Sequence, residues 1–113
     1  MNIKKHTMGI KEYYEHHKSR KGRSYEMFSK GGDNKCHSIT QSAIRKIAGQ
    51  KRVTKEEILG LVSDKLNDTY RKGKHKEVWD SEPPRHIAHY INQALRAADY
   101  GFEIDAYEFN IEV

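Results

Sequence analysis

The chain has 113 residues, of which 35% are hydrophobic and 33% charged, which bounds it to one domain with one modest core. A lone cysteine, Cys36, excludes an internal disulfide, and no apolar run approaches the ~18 residues that a membrane span needs. The lysines near the N-terminus precede no apolar segment, so a secretory signal is not expected, and the cytoplasm is the expected location.

The net charge of +5 is unevenly spread. Residues 1–52 hold 13 Lys and Arg against 4 acids, residues 53–100 hold 8 of each, and residues 101–113 hold 4 acids and no base. A basic front half favours a polyanionic partner. It also suits head-to-tail contact with the acidic tail, within one chain or across a homodimer. Solubility alone is the plain alternative.

In chain order, "MNIKKHT" reads as a flexible start. Ile10, Tyr13, Tyr14 and His17 recur at helical spacing and predict a short helix over 9–20 that ends before Gly22. "RSYEMFSK" alternates too briefly to separate strand from loop, and "KGGDNK" reads as a turn or mobile linker. Residues 1–35 are therefore expected to form a basic, partly flexible arm with one short helix, and residues 36–113 a compact helical domain with a C-terminal strand. Ile39, Ala43, Ile44 and Ile47 predict a helix over 38–48, capped by Ser38 or Thr40 and stopped at Gly49. Thr54 and Glu57 form a capping box for a helix over 54–72, whose stripe is Ile58, Val62, Leu66 and Tyr70. Gly60 inside that stretch suggests a close packing approach. After the stiff connector "KHKEVWDSEPP", the residues Ile87, Tyr90, Ile91, Ala94, Leu95 and Ala98 predict a helix over 84–100 ended by Gly101.

The tail "FEIDAYEFNIEV" alternates. Phe102 and Ile104 share one parity; Tyr107, Phe109, Ile111 and Val113 share the other. The slip at Asp105-Ala106 implies a bulge, a bend or a tight turn. A strand here needs a partner for its backbone groups: residues 24–29, a short hairpin, or a second subunit. The expected fold class is α+β, a mainly helical small single domain of about four helices with a short C-terminal β element.

Function turns first on "IRKIAGQKRVTKEEILGLV", residues 44–62. Two helical patterns flank a short turn with Gly49. Gln50, Lys51 and Arg52 stand where a helix start favours phosphate, and Lys55 or Gln50 is placed to reach a base edge. Glu56 and Glu57 on the outer face also fit a plain helical corner of any bundle. In outline the stretch resembles helix-turn-helix regulators, which implies dimeric binding to duplex DNA. Two further stretches mix bases with an aromatic: "KSRKGRSY", with Lys18, Arg20, Lys21 and Arg23, and "YRKGKHK", with Arg71, Lys72 and Lys74.

Catalytic and metal chemistry find less footing. Cys36, His37, His86 and His89 are candidate zinc ligands, but adjacent Cys36 and His37 are awkward partners and no Cys-x-x-Cys pair exists. Glu77, Asp80 and Glu82, or Glu103 and Asp105, are not ordered into a magnesium signature. No phosphate-loop motif and no Ser-His-acid arrangement is legible. Neither metal nor other cofactor is expected, and no enzyme activity. The leading expectation is a small non-enzymatic nucleic-acid-binding or regulatory protein, duplex DNA favoured, with no membrane partner. The alternative is an adaptor or inhibitor that binds another protein through Trp79, Tyr107 and Phe109, since aromatics anchor interfaces.

Overall fold

Wherever apolar residues recur every three or four positions, the backbone is helical. The computed structural model describes residues 8–20, 30–49, 52–72 and 83–111. Four helices follow in order: α1 (Ile10–Ser19), α2 (Lys30–Gly49), α3 (Lys55–Lys72) and α4 (Pro83–Ala97). The segments 1–7, 21–29, 50–51, 73–82 and 112–113 lie outside the described residues, and with them the expectations for "MNIKKHT", "RSYEMFSK" and most of the connector.

The helix ends follow capping rules. The Gly9 N–H donates to the Glu12 carboxylate at 3.1 Å and starts α1. Thr54 and Glu57 form the expected box: the Glu57 N–H donates to Thr54 Oγ1 at 3.1 Å, and the Thr54 N–H donates to the Glu57 carboxylate at 2.8 Å. Pro83 opens α4, where its missing N–H costs nothing. The stop of α4 is Asp99 rather than Gly101: Asp99 has φ 62, its N–H donates to the Arg96 carbonyl, and the Tyr100 N–H donates to the Leu95 carbonyl. That pairing is a Schellman end, with an aspartate in the left-handed position usually held by glycine.

The central element is α2, which packs against α1, α3 and α4, while α1 also packs on α4. Cys36, Ile39, Ala43, Ile44 and Ile47 of α2 are buried against Ile58, Val62 and Leu66 of α3 and Ile87, Ile91, Ala94 and Leu95 of α4. Tyr13 joins that core from α1. The expected turn "KGGDNK" is instead the first turn and a half of α2. Two interior glycines disfavour helix by roughly 1 kcal/mol each. The burial of Cys36 and His37 just downstream shows that the core-facing stripe starts earlier than Ile39, and tertiary burial outweighs the local preference.

The C-terminal β element is corrected by the structure. The protein is all-α among the described residues, and residues 100–111 form an extended segment broken by a short 3-10 turn at Ala106–Glu108. The parity slip at Asp105-Ala106 is that turn. Its two flanks bury Ile104 and Phe109, which explains the alternation without a strand. At Ile104 and Asn110 the backbone groups that a strand would pair with a neighbour are taken by side chains of the helices. Asn92 accepts from the Ile104 N–H at 2.8 Å and donates to the Ile104 carbonyl at 2.9 Å. Ser63 Oγ accepts from the Asn110 N–H at 2.9 Å, and Asn67 donates to the Asn110 carbonyl at 2.8 Å.

Gly60 is not a close approach either: no neighbouring atom lies within 4 Å of where its Cβ would be. Gly60→Ala is therefore expected to raise stability by about 0.5–1 kcal/mol in urea unfolding, through helix propensity alone. Asn92→Ala removes the partners of both the Ile104 N–H and the Ile104 carbonyl and is expected to cost about 2 kcal/mol in the same measurement. A loss below a few tenths would show that the segment finds other partners.

Candidate functional site

The corner between α2 and α3 comes first. Residues 52–54 are non-helical, and Val53 is buried with its N–H donating to the Tyr100 hydroxyl at 2.8 Å. The Arg52 guanidinium lies 4.0 Å from the centre of the same ring, a cation–π contact. Lys55 pairs with the Glu108 carboxylate at 2.9 Å. The hydrogen bond between them holds the Lys55 ammonium above its usual range and the Glu108 carboxyl below its own. Glu57 is likewise held down, first by the Thr54 backbone N–H. Arg52, an expected phosphate contact, and Lys55, an expected base-edge contact, thus tie the corner to the C-terminal segment. Gln50 and Lys51 lie outside the described residues.

The basic residues of α1 and α2 converge elsewhere. The Lys18 ammonium sits 6.0 Å from the Tyr14 ring centre. Arg45 on α2, and after it Gln41, lie close enough to the Tyr14 hydroxyl to hold its ionisation below the usual tyrosine range. Lys18 and Arg45 are exposed and Tyr14 is half-buried, so a cation–aromatic–cation row faces solvent. Arg45 was no sequence candidate. The signal for it was its place opposite the apolar stripe of α2. Lys21, Arg23, Lys74 and Trp79 lie outside the described residues. Arg71 and Lys72 end α3, and their side chains are outside them too.

The tail aromatics part company. Tyr107 is 85% exposed, whereas Phe109 is 6% exposed and belongs to the core. Tyr107 edges a cleft of about 490 Å³ with Arg85, Ala88, His89, Asn92 and Ile104. Glu103 pairs with Arg96 at 2.7 Å. Among the described residues no three His, Cys, Asp or Glu side chains converge to hold a metal ion. Cys36 is in the core and His37 stacks on His17.

That stack sits beside a second cleft of about 290 Å³ between α1 and α4. His17 is 1% exposed. Its ring lies parallel to His37 at 4.3 Å and edge-on to Tyr90 at 5.4 Å. His37 Nε2–H donates to the His17 carbonyl at 2.7 Å, and His17 Nδ1–H donates to Gln41 Oε1 at 2.6 Å. The other nitrogen, His17 Nε2, is buried with no hydrogen-bond partner. Such an orphan costs roughly 1–3 kcal/mol. Burial above all pushes the His17 pKa down to about 4. Tyr13 donates to Gln93 Oε1 at 2.7 Å and to the Tyr90 carbonyl at 3.1 Å, and burial raises its pKa far above the usual range. The sequence placed His17 on the apolar stripe of α1, but gave no sign of its stacking partner twenty residues on.

No family model matches the chain, and neither does any curated protein or solved structure.

The histidine has a consequence for stability. The folded state refuses a proton that unfolded His17 accepts near its ordinary value of about 6.5. Stability is therefore complete above that value and falls as pH drops toward about 4. Urea midpoints are expected to show a loss on the order of 2 kcal/mol between pH 7 and pH 5. The carboxylates with lowered pKa act only at lower pH. His17→Phe should flatten the profile in that window, and an unchanged slope would assign it to another group.

Proposed function

We propose that the protein is a small, non-enzymatic nucleic-acid-binding protein that holds the phosphate backbone on the outer face of α1 and α2. The observation that carries this reading is the row Lys18, Tyr14 and Arg45, where the two helices of the basic front half lie side by side. Cations on such a row displace counterions from phosphates, and the tyrosine offers an apolar face to sugar or base. Lys11, one turn before Tyr14 and exposed, lengthens the row along α1. The corner supports a smaller part than a reading helix would have. Arg52 and Lys55 are engaged with Tyr100 and Glu108, and Glu56 and Glu57 stand at the start of α3. Binding of this kind positions the chain on the backbone and reads sequence weakly. Duplex DNA is the favoured target, ahead of RNA and of single strands, whose charge density is lower.

A second reading has its own observation. Tyr107 stands exposed at the rim of the larger cleft, a form that suits the anchor of a protein partner. The two differ in salt dependence, which is steep for the first and shallow for the second.

Fluorescence anisotropy of labelled duplex DNA, single-stranded DNA and RNA across a salt series tests the choice. Duplex binding is expected to weaken with log salt at a slope of about −0.9 per phosphate contact. Lys18→Glu with Arg45→Glu should weaken it at least about tenfold, while Tyr107→Ala should leave it unchanged. Absence of binding to all three at low salt would sink the proposal.

A further inference from the structure

The nucleic-acid reading uses the outer side of α1. Its inner side shows how weakly this helix is held. Ile44, Ile58, Leu66, Ile87, Ile91 and Leu95 are the largest fully buried side chains, and all come from α2, α3 and α4. Those three helices therefore share a core that does not need α1. Of α1 only Tyr13 and His17 are buried, with Ile10 and Tyr14 half-buried against the core. The helix packs on α2 and α4, and polar groups tie it there. The Tyr13 hydroxyl donates to Gln93 Oε1 at 2.7 Å. His17 Nδ1–H donates to Gln41 Oε1 at 2.6 Å, and His37 Nε2–H donates to the His17 carbonyl at 2.7 Å.

These ties suit only a neutral His17. Its Nδ1 already carries a proton, so a second proton has only Nε2 to go to. That nitrogen is buried and has no hydrogen-bond partner among the described residues. A charged ring would bury an unpaired N–H and a cation, 4.3 Å above the parallel ring of His37. The titratable and charged groups around it are Tyr13, His16 and Arg20 on α1, His37 on α2, and His89 and Tyr90 on α4. None is a carboxylate. Burial opposes the charge most, and His37, His16 and Arg20 add to it against the hydrogen bond to Gln41, which leaves the pKa at about 4.

Letting go of α1 removes all of these conflicts together. The ring enters water and takes its proton near the ordinary value of about 6.5. The proton needs no path to Nε2 in the docked helix, because it is the released form that accepts it. We infer that α1 is an acid-released latch: protonation of His17 frees it from α2 and α4, while those two helices and α3 stay folded. Docking is complete above about pH 6.5 and weakens as pH falls. A helix of this length does not persist alone in water, so a released α1 gives up its backbone hydrogen bonds. The inference rests on the docking geometry and not on the nucleic-acid reading. Where that reading holds, the same release parts Lys18 and Tyr14 from Arg45 and dismantles the row.

Native-state hydrogen exchange of the full chain, followed by NMR at low urea, reads the release. The Tyr13 and His17 amides, corrected for intrinsic rate, are expected to open about twentyfold more at pH 5 than at pH 7. Urea should hardly accelerate that opening, because little surface is exposed. The Val62 and Ile91 amides should stay better protected at both pH values, and open by a step that urea accelerates steeply. His17→Phe should remove the pH step at Tyr13. His17→Gln, polar but without a proton to gain in this range, is expected to do the same and serves where the aromatic ring does not fit. If Tyr13 and His17 open with the same free energy and urea dependence as Val62, α1 leaves only when the whole chain unfolds, and the inference is overturned. A pH step that survives both substitutions overturns it as well, by assigning the trigger to another group.

Discussion

An extended backbone laid across a helical core brings peptide groups partly out of reach of water, where a partner inside the protein stabilises them. Residues 100–111 meet this constraint with helix side chains. Asn92 pairs both polar groups of Ile104, and Ser63 and Asn67 together serve both polar groups of Asn110. Asparagine suits the task because its amide carries a donor and an acceptor, like a peptide. The segment thereby holds α3 through Ser63 and Asn67 and α4 through Asn92. Ile104 and Phe109 enter the core between these clamps. Remove the clamps and the segment has neither a strand to pair with nor a helix to form.

The same strap decides what the corner can do. Tyr100 takes the Val53 N–H and lies under the Arg52 guanidinium, and Glu108 takes Lys55. The acidic tail meets the start of α3 here, within one chain. Arg52 and Lys55 gain little stability from these contacts, since water screens pairs at the surface. They do lose freedom to approach a phosphate. The Lys18–Tyr14–Arg45 row carries no such tie to the tail, and that moves the proposed interface from the corner to the face of α1 and α2.

How much of this was legible in the sequence depends on whether the signal was local. The helix from Thr54 onward was readable almost to the residue, because a capping box and a stripe at every fourth position are local patterns. So were α1 and most of α4. The start of α2 was not, because "KGGDNK" is turn-like by itself and is helical only beside the buried Cys36 and His37. The tail misled for a related reason. Alternation reports which side chains are buried, not which backbone groups are paired, and Ile104 and Phe109 are buried around a 3-10 turn. Of the site, the charge of the front half was visible, but neither Arg45 beside Tyr14 nor His37 on His17 was. Both are contacts between helices, and a single sequence carries no pattern for them.

Gln41 is where these threads meet. Its carbonyl oxygen accepts from His17 on the cleft side of α1, and its amide makes a long 3.5 Å contact with the Tyr14 carbonyl on the basic side. An apolar residue at position 17 would pack without leaving an orphaned nitrogen, and would remove the acid sensitivity that His17 brings. What histidine adds is a lone pair held at a fixed place by Gln41 and by the parallel ring of His37. His17 and Tyr14 thus lie on two sides of one helix, joined through a single glutamine.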